Sequence, residues 1–174
     1  MTWREYLAGV DDSHQMTTSK EHVAILCEMA AGIRGRILEL GSHAGISTAA
    51  LALASPGSTI VSVDLCDTVP ESARTEYWSS LGIANVQPVR ADAGAFLRSS
   101  QLRLDQWSLI FHDAAHGDAV VPEYLTAAGI CYSLAIHDWE QLSRDSQSLI
   151  GRRFPGQVAY PADSRGRQLW IGTQ

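Results

Sequence analysis

Apolar positions along the chain fall into short runs of two kinds, and the two kinds alternate. Val23, Leu26, Cys27 and Ala30 recur at helical spacing. Ahead of them Thr18-Ser19-Lys20-Glu21 reads as a capping box, a hydroxyl at the cap with a carboxylate three residues on, and Gly32 marks the stop. Residues 37–40 form a short apolar strand, 41–45 a tight turn, and Ile46–Ala54 a helix of small residues closed by Pro56-Gly57. Residues 59–63 are a β-branched strand ending at Asp64. The pattern then predicts a helix over 70–81 with Pro in its first turn, a strand over Val86–Arg90 leading to Asp92, and a short helix over Ala93–Arg98. Residues 107–111 read as a strand running into His112-Asp113, 122–128 as a helix, 133–136 as a strand before His137-Asp138, and 140–150 as a helix. Two last strands, 157–160 and 168–171, make a hairpin across the loop 161–167. The opening, 1–15, is polar and irregular.

Strands that alternate with helices need crossover connections and so form a parallel sheet covered on both faces. Five such strands and a terminal hairpin predict an α/β fold: a doubly wound, mainly parallel seven-stranded sheet with a C-terminal antiparallel hairpin, in one domain over 1–174. Ligands of such sheets sit beyond the carboxyl ends of the strands, at the switch point. The turn 41–45, Asp64, Asp92, Asp113 and Asp138 all follow strand ends directly.

Composition narrows the function. The 174 residues are 45% apolar and 18% charged, an ordinary globular balance, with a net charge of −6. That charge opposes approach to a polyphosphate, so nucleic acid is not the expected partner. Arg152, Arg153, Arg165 and Arg167 cluster late but lack interleaved aromatics, as in a solvated face. Cys27, Cys66 and Cys131 cannot all pair and make no CxxC; they read as small buried residues in a reducing compartment. The first ten residues carry charges and no apolar core segment, which predicts a cytoplasmic protein. Residues 40–63 lack acidic and basic side chains, yet Pro56-Gly57 and recurrent Ser, Thr and Gly make them helix, turn and strand rather than a membrane span.

The first turn, Leu38-Glu39-Leu40-Gly41-Ser42-His43-Ala44-Gly45-Ile46-Ser47, holds the first candidate ligand contacts: Glu39, Gly41, Ser42, His43, Gly45 and Ser47. Its glycines let the backbone pass close under a ligand, and the helix that follows offers free N–H donors. Glu39 sits at the end of an apolar strand, where a carboxylate is costly unless something cationic or donor-rich meets it. The ammonium of an amino-acid-like ligand would do so, as would an internal cap or an arginine. Asp64 can accept both hydroxyl protons of a ribose, and Asp92 can accept from an exocyclic adenine amine while also capping the helix that starts at Ala93. Leu65 and Cys66 could flank a purine ring.

Taken together these residues resemble class I S-adenosylmethionine-dependent methyltransferases. Glu39-x-Gly41-x-x-x-Gly45 is similar to that family's first motif, Asp64 to its ribose-binding acid and Asp92, with Ala93, to its adenine-side acid. Phe111-His112-Asp113-Ala114-Ala115-His116 resembles the stretch after the fourth strand of a small-molecule methyltransferase group. Ile136-His137-Asp138 resembles the end of that group's fifth strand, and Gln15-Met16-Thr17-Thr18 the segment before its first helix. The resemblance spans roughly residues 15–172. It implies S-adenosyl-L-methionine as cofactor, with Asp113 also at its site, and methyl transfer to a small-molecule acceptor, a hydroxyl oxygen first. Departures are His112 where an apolar residue is usual, Ala115 in place of a second acid, and Gly129–Ser133 in place of Pro-Gly-Gly. Two other functions fit the same turn: a cofactor-binding or protein-interaction domain without catalysis, and a nicotinamide-dependent oxidoreductase, which the missing G-x-G-x-x-G disfavours.

The acceptor end should gather Asp113, His116, His137 and Asp138, which leave two adjacent strands. In one use His116, oriented by a carboxylate, takes the acceptor proton; an imidazole titrates near neutral pH. In the other, less favoured use, Asp113 and Asp138 ligate a divalent metal, as the resemblance to metal-dependent O-methyltransferases implies. Trp139 then stands where an Asn ligand is expected, and His137 or His116 must make up the set. Segments 1–15, 112–122 and 161–167 are expected to shape the acceptor pocket, with room for a second subunit in a homodimer.

Overall fold

The computed structural model describes residues 1–11, 18–99, 107–163 and 165–174. Five strands run parallel: β1 (Arg36–Leu40), β2 (Thr59–Asp64), β3 (Val86–Arg90), β4 (Trp107–His112) and β5 (Cys131–His137). The last two, β6 (Gly156–Tyr160) and β7 (Leu169–Thr173), are antiparallel to each other, and β7 is antiparallel to β5. The order across the sheet is β3-β2-β1-β4-β5-β7-β6. This is the predicted doubly wound sheet, with its switch point between β1 and β4.

The helices are α1 (Trp3–Gly9), α2 (Lys20–Ala30), α3 (Ile46–Ala54), α4 (Glu71–Ser80), α5 (Ala93–Arg98), α6 (Val121–Ala128) and α7 (Arg144–Gly151). Side chains alternate across the strands. Ile37, Phe111 and Ala135 face one core, built with α1, α2, α3 and Trp78 of α4. Leu38, Leu40, Ile110 and Ile136 face the other, built with α5, α6 and α7. The uncharged stretch 40–63 divides into α3 and β2, and no helix among the described residues is long and apolar enough to cross a membrane.

The structure departs from the sequence pattern in five places. The opening is not irregular: α1 lies there, and Thr2 and Glu5 form its reciprocal capping box. Trp3, Tyr6, Leu7 and Val10 carry helical spacing, and Tyr6 and Leu7 are buried against the first core. The cap of α2 is Ser19, which accepts from His22 N at 3.3 Å, because the Thr18 hydroxyl donates to Asp113 instead, at 2.6 Å. Pro70 is the cap of α4 and lies outside its first turn. The single helix expected over 140–150 is split. Trp139–Gln141 forms a short 3-10 turn whose Trp139 stacks on Trp170 at 4.6 Å, and α7 restarts under a Ser143 cap. Cys27 and Cys131 are buried thiols as expected, but Cys66 is half-buried and its Sγ accepts from Arg74 at 2.6 Å. Residues 15–17, assigned to the cofactor side by resemblance, lie outside the described residues.

Candidate functional site

Parallel register assembles the site. Leu40 pairs with His112 and His112 with Ile136, so the residues that follow, Gly41, Asp113 and His137, lie side by side beyond the strand ends. The first turn leaves β1 with Gly41 N donating to Val63 O at 2.9 Å. At its far end Gly45, in a left-handed conformation, opens α3.

Protein neighbours crowd both turn glycines. A Cβ on Gly41 would lie 2.6 Å from Ala114 Cα and from the Asp113 carbonyl oxygen, at a φ of +87°. One on Gly45 would lie 2.7 Å from the Trp78 indole nitrogen, which donates to Gly45 O at 2.9 Å. The loops themselves already approach too closely for a side chain at either position. Among the described residues three non-glycines adopt positive φ, His43, Cys66 and Asp138, and each follows a different strand end at this edge. Such strain persists where surrounding contacts over-determine the backbone.

Glu39 is sealed under the turn at 0% exposure. Its carboxylate accepts from Ser47 Oγ at 2.6 Å and from Thr48 Oγ1, both on the first turn of α3. Burial, reinforced by the Asp113 charge, pushes it up to about 7 against the pull of those hydroxyls and of Arg74. Arg74, on α4, is itself fully buried and donates to Ser42 Oγ and Cys66 Sγ. Asp64 Oδ2 accepts from Ser42 N at 3.0 Å and His43 N at 2.9 Å, and its Oδ1 from Cys66 N at 2.6 Å. A carboxylate has about four acceptor directions, so one remains for a ligand. Asp92 caps α5 through Oδ1, 2.8 Å from Ala95 N, with the carboxylate exposed.

A cavity of about 360 Å³ opens here, within the range of cofactor clefts. Gly41, His43, Asp64, Leu65, Asp92, Ala93 and Asp113 line it, and so does His116. Glu39, Ser42, Gly45 and Ser47 do not; they hold the turn that forms its floor. His137 and Asp138 lie behind it. The acids at the ends of β2 and β3 on one wall, and the bent turn on the other, fit a nucleoside-bearing cofactor.

At the acceptor end the four expected residues converge. His137 Nδ1 lies 2.9 Å from Asp113 Oδ1, His116 Nδ1 lies 3.4 Å from Asp138 Oδ2, and His116 Nε2 lies 4.0 Å from Asp113 Oδ1. Burial would raise Asp113, but the His137 hydrogen bond and charge, the Thr18 hydroxyl and His116 hold it below the carboxylate range. Burial would lower His137, and Asp113 and Asp138 outweigh it and raise it. Asp138 is raised by burial, against the charges of the two histidines. The side chain of His116 is 30% exposed and that of His137 fully buried, so His116 alone of the pair can meet an acceptor.

Sequence reasoning did not find Arg74 or Glu123 as site residues; Thr18 was marked only through the resemblance of residues 15–18. Each acts from a distant element, and no local spacing marks it. His112, unusual at its position, is buried between the Tyr124 ring at 4.7 Å and Glu123 Oε2 at 3.2 Å, both from α6.

No family model matches this sequence, and no curated protein matches it by sequence. Solved structures do match. An O-methyltransferase from Bacillus cereus, in complex with S-adenosylhomocysteine, is 19% identical with a TM-score of 0.65, over 99% of this chain and 89% of that one. A candidate O-methyltransferase from Nostoc punctiforme is 10% identical with a TM-score of 0.69, over 99% of this chain. The chain spans 60% of the length of that Nostoc protein. An rRNA methylase from Streptococcus thermophilus is 12% identical with a TM-score of 0.66, over 91% of this chain and 98% of that one. The fold is that of the class I S-adenosylmethionine-dependent methyltransferases.

Proposed function

We propose that this chain is an S-adenosylmethionine-dependent methyltransferase whose acceptor is a hydroxyl oxygen of a small molecule. The observation that carries the reading is one imidazole, His116, on the wall of an acid-lined cavity at the switch point and flanked by Asp113 and Asp138. The cofactor, when bound, supplies an electrophilic methyl group together with its leaving group. The chain has to bind, align and deprotonate. Asp64 keeps one acceptor direction for a ribose hydroxyl, and Asp92 presents its exposed carboxylate to the adenine side. Asp138 orients His116, which receives the acceptor proton. The Asp113–His137 pair fixes the floor behind it, with Thr18 as a third anchor.

A protein of the same fold acts on rRNA, so the fold does not choose the acceptor. Net charge supports a small acceptor, since at −6 the chain repels polyanions. A divalent ion is the second reading, because Asp113, His116 and Asp138 each bring a ligand atom within 4.8 Å of the others.

Labelled methyl transfer to a panel of phenols, catechols and sugars tests the proposal. His116→Ala should lower turnover about 10²–10⁴-fold with S-adenosylhomocysteine affinity kept, and added magnesium should change nothing. Full turnover by that variant removes the base, and magnesium-dependent turnover favours the ion.

A further inference from the structure

Behind the acceptor cluster, on the face covered by α2, lies a second group of side chains that shares only His137 with the methyl-transfer reading. His22 comes from α2, His137 from the end of β5 and Asp163 from the loop between β6 and β7. Each brings a ligand atom within 4.8 Å of the other two. His22 is 2% exposed and His137 0%. Each of the three also carries one buried polar atom without a hydrogen-bond partner: His22 Nδ1, His137 Nε2 and Asp163 Oδ2. Buried polar atoms are seldom left so, and three meeting in one place point to an occupant.

The opposite atom of each side chain is already held. His22 Nε2 lies 3.3 Å from the Pro161 carbonyl, which fixes the proton on Nε2 and leaves Nδ1 as a lone pair. His137 Nδ1 lies 2.9 Å from Asp113 Oδ1, which fixes the proton there and turns Nε2 toward the group. Asp163, half-buried, accepts on Oδ1 from Arg165 N at 2.8 Å and Arg167 N at 3.0 Å, and the Ser19 hydroxyl of the α2 cap also faces its carboxylate. Imidazoles oriented by a carbonyl and a carboxylate, with an anchored carboxylate between them, are how proteins prepare a metal site. The rings stand edge to face with centroids 5.6 Å apart, so their nitrogens can meet at one point.

We propose that His22 Nδ1, His137 Nε2 and Asp163 Oδ2 bind a divalent transition ion of the zinc class. Two imidazoles and one carboxylate suit zinc and its first-row neighbours, whereas magnesium prefers oxygen ligands alone. With its proton held on Nδ1, His137 offers the Nε2 lone pair to the ion. The ion joins α2, the sheet and the terminal hairpin loop, and through His137 it fixes Asp113. His137 is thus a positioning residue for the acceptor cluster. A buried water bridging the same three atoms is the competing occupant.

Zinc and cobalt content decides between them. Purified full-length protein is equilibrated with Zn²⁺ or Co²⁺ at neutral pH, desalted and analysed by atomic emission, with the cobalt form also followed by its visible absorption. One ion per chain is expected, with a ligand-field spectrum of nitrogen and oxygen donors. Asp163→Asn keeps the loop acceptor on Oδ1 and should weaken zinc by at least about 10²-fold, more than loss of an outer partner costs. His22→Ala should do the same, with folding of both variants checked by circular dichroism, and His116→Ala should keep the ion. No retained ion in the wild type, or equal retention by folded Asp163→Asn, overturns the site in favour of water. Loss in His116→Ala with retention in Asp163→Asn overturns it in favour of the Asp113, His116 and Asp138 cluster.

Discussion

Replacing Glu39 by Gln should remove a fall in folding stability as pH rises. The carboxyl is buried at 0% exposure, with two hydroxyl donors, and is moved from its ordinary 4.5 up to about 7. Its folded value is the higher, so between those values the folded chain keeps a proton that the unfolded chain has released. Stability is therefore fully present below pH 4.5 and declines as pH rises to about 7, beyond which the loss is complete. At about 1.4 kcal/mol per unit, the full penalty is about 3 kcal/mol, and about 2.5 kcal/mol of it accrues between about pH 5 and about pH 8. Gln has the same shape, accepts one hydroxyl through its oxygen and donates through its amide. It matches the neutral carboxyl and does not titrate. Urea unfolding of both proteins at about pH 5 and about pH 8 isolates the effect, because every other titrating group is common to the pair. The variant should gain about 2.5 kcal/mol relative to wild type between the two conditions. A gap that is the same at both pH values would refute a buried, internally capped carboxyl at position 39.

Gly41→Val should lower stability by more than about 2 kcal/mol and abolish S-adenosylhomocysteine binding, since its Cβ meets Ala114 and Asp113 backbone; normal affinity by calorimetry would contradict this. Arg74→Met leaves Ser42 and Cys66 without their buried donor and should cost about 1–3 kcal/mol in chemical denaturation. A loss under about 0.5 kcal/mol, ordinary for a surface site, would show that Arg74 does not brace the turn.

The sheet was legible because β-branched and apolar runs of strand length alternate with helical spacing, and because acids stand at the strand ends. The convergence of Asp113 with His137 follows from the same reading, since adjacent parallel strands place their following residues together. The helix at the start was missed: Trp3, Tyr6, Leu7 and Val10 are spaced for one face, but the polar residues around them masked the pattern. The roles of Gly41 and Gly45 were not. Chain conformation alone says that a Cβ is unwelcome, and only the fold shows that the neighbours are Ala114 and Trp78. His22, Arg74 and Asp163 carry no local signal, because their partners lie on other elements. Trp139 looks like a missing ligand in sequence, and in the fold it is half of a stacked tryptophan pair against β7.

The most direct test of the whole account is calorimetric titration of S-adenosylhomocysteine into the wild-type chain and Asp64→Ala. The account predicts one binding site per chain. The variant removes the acceptor of three backbone N–H groups and the acceptor direction proposed for a ribose hydroxyl. It should weaken affinity by about 1.5–3 kcal/mol, roughly ten- to over a hundredfold. No binding by the wild type, or equal affinity in a folded Asp64→Ala, would contradict it.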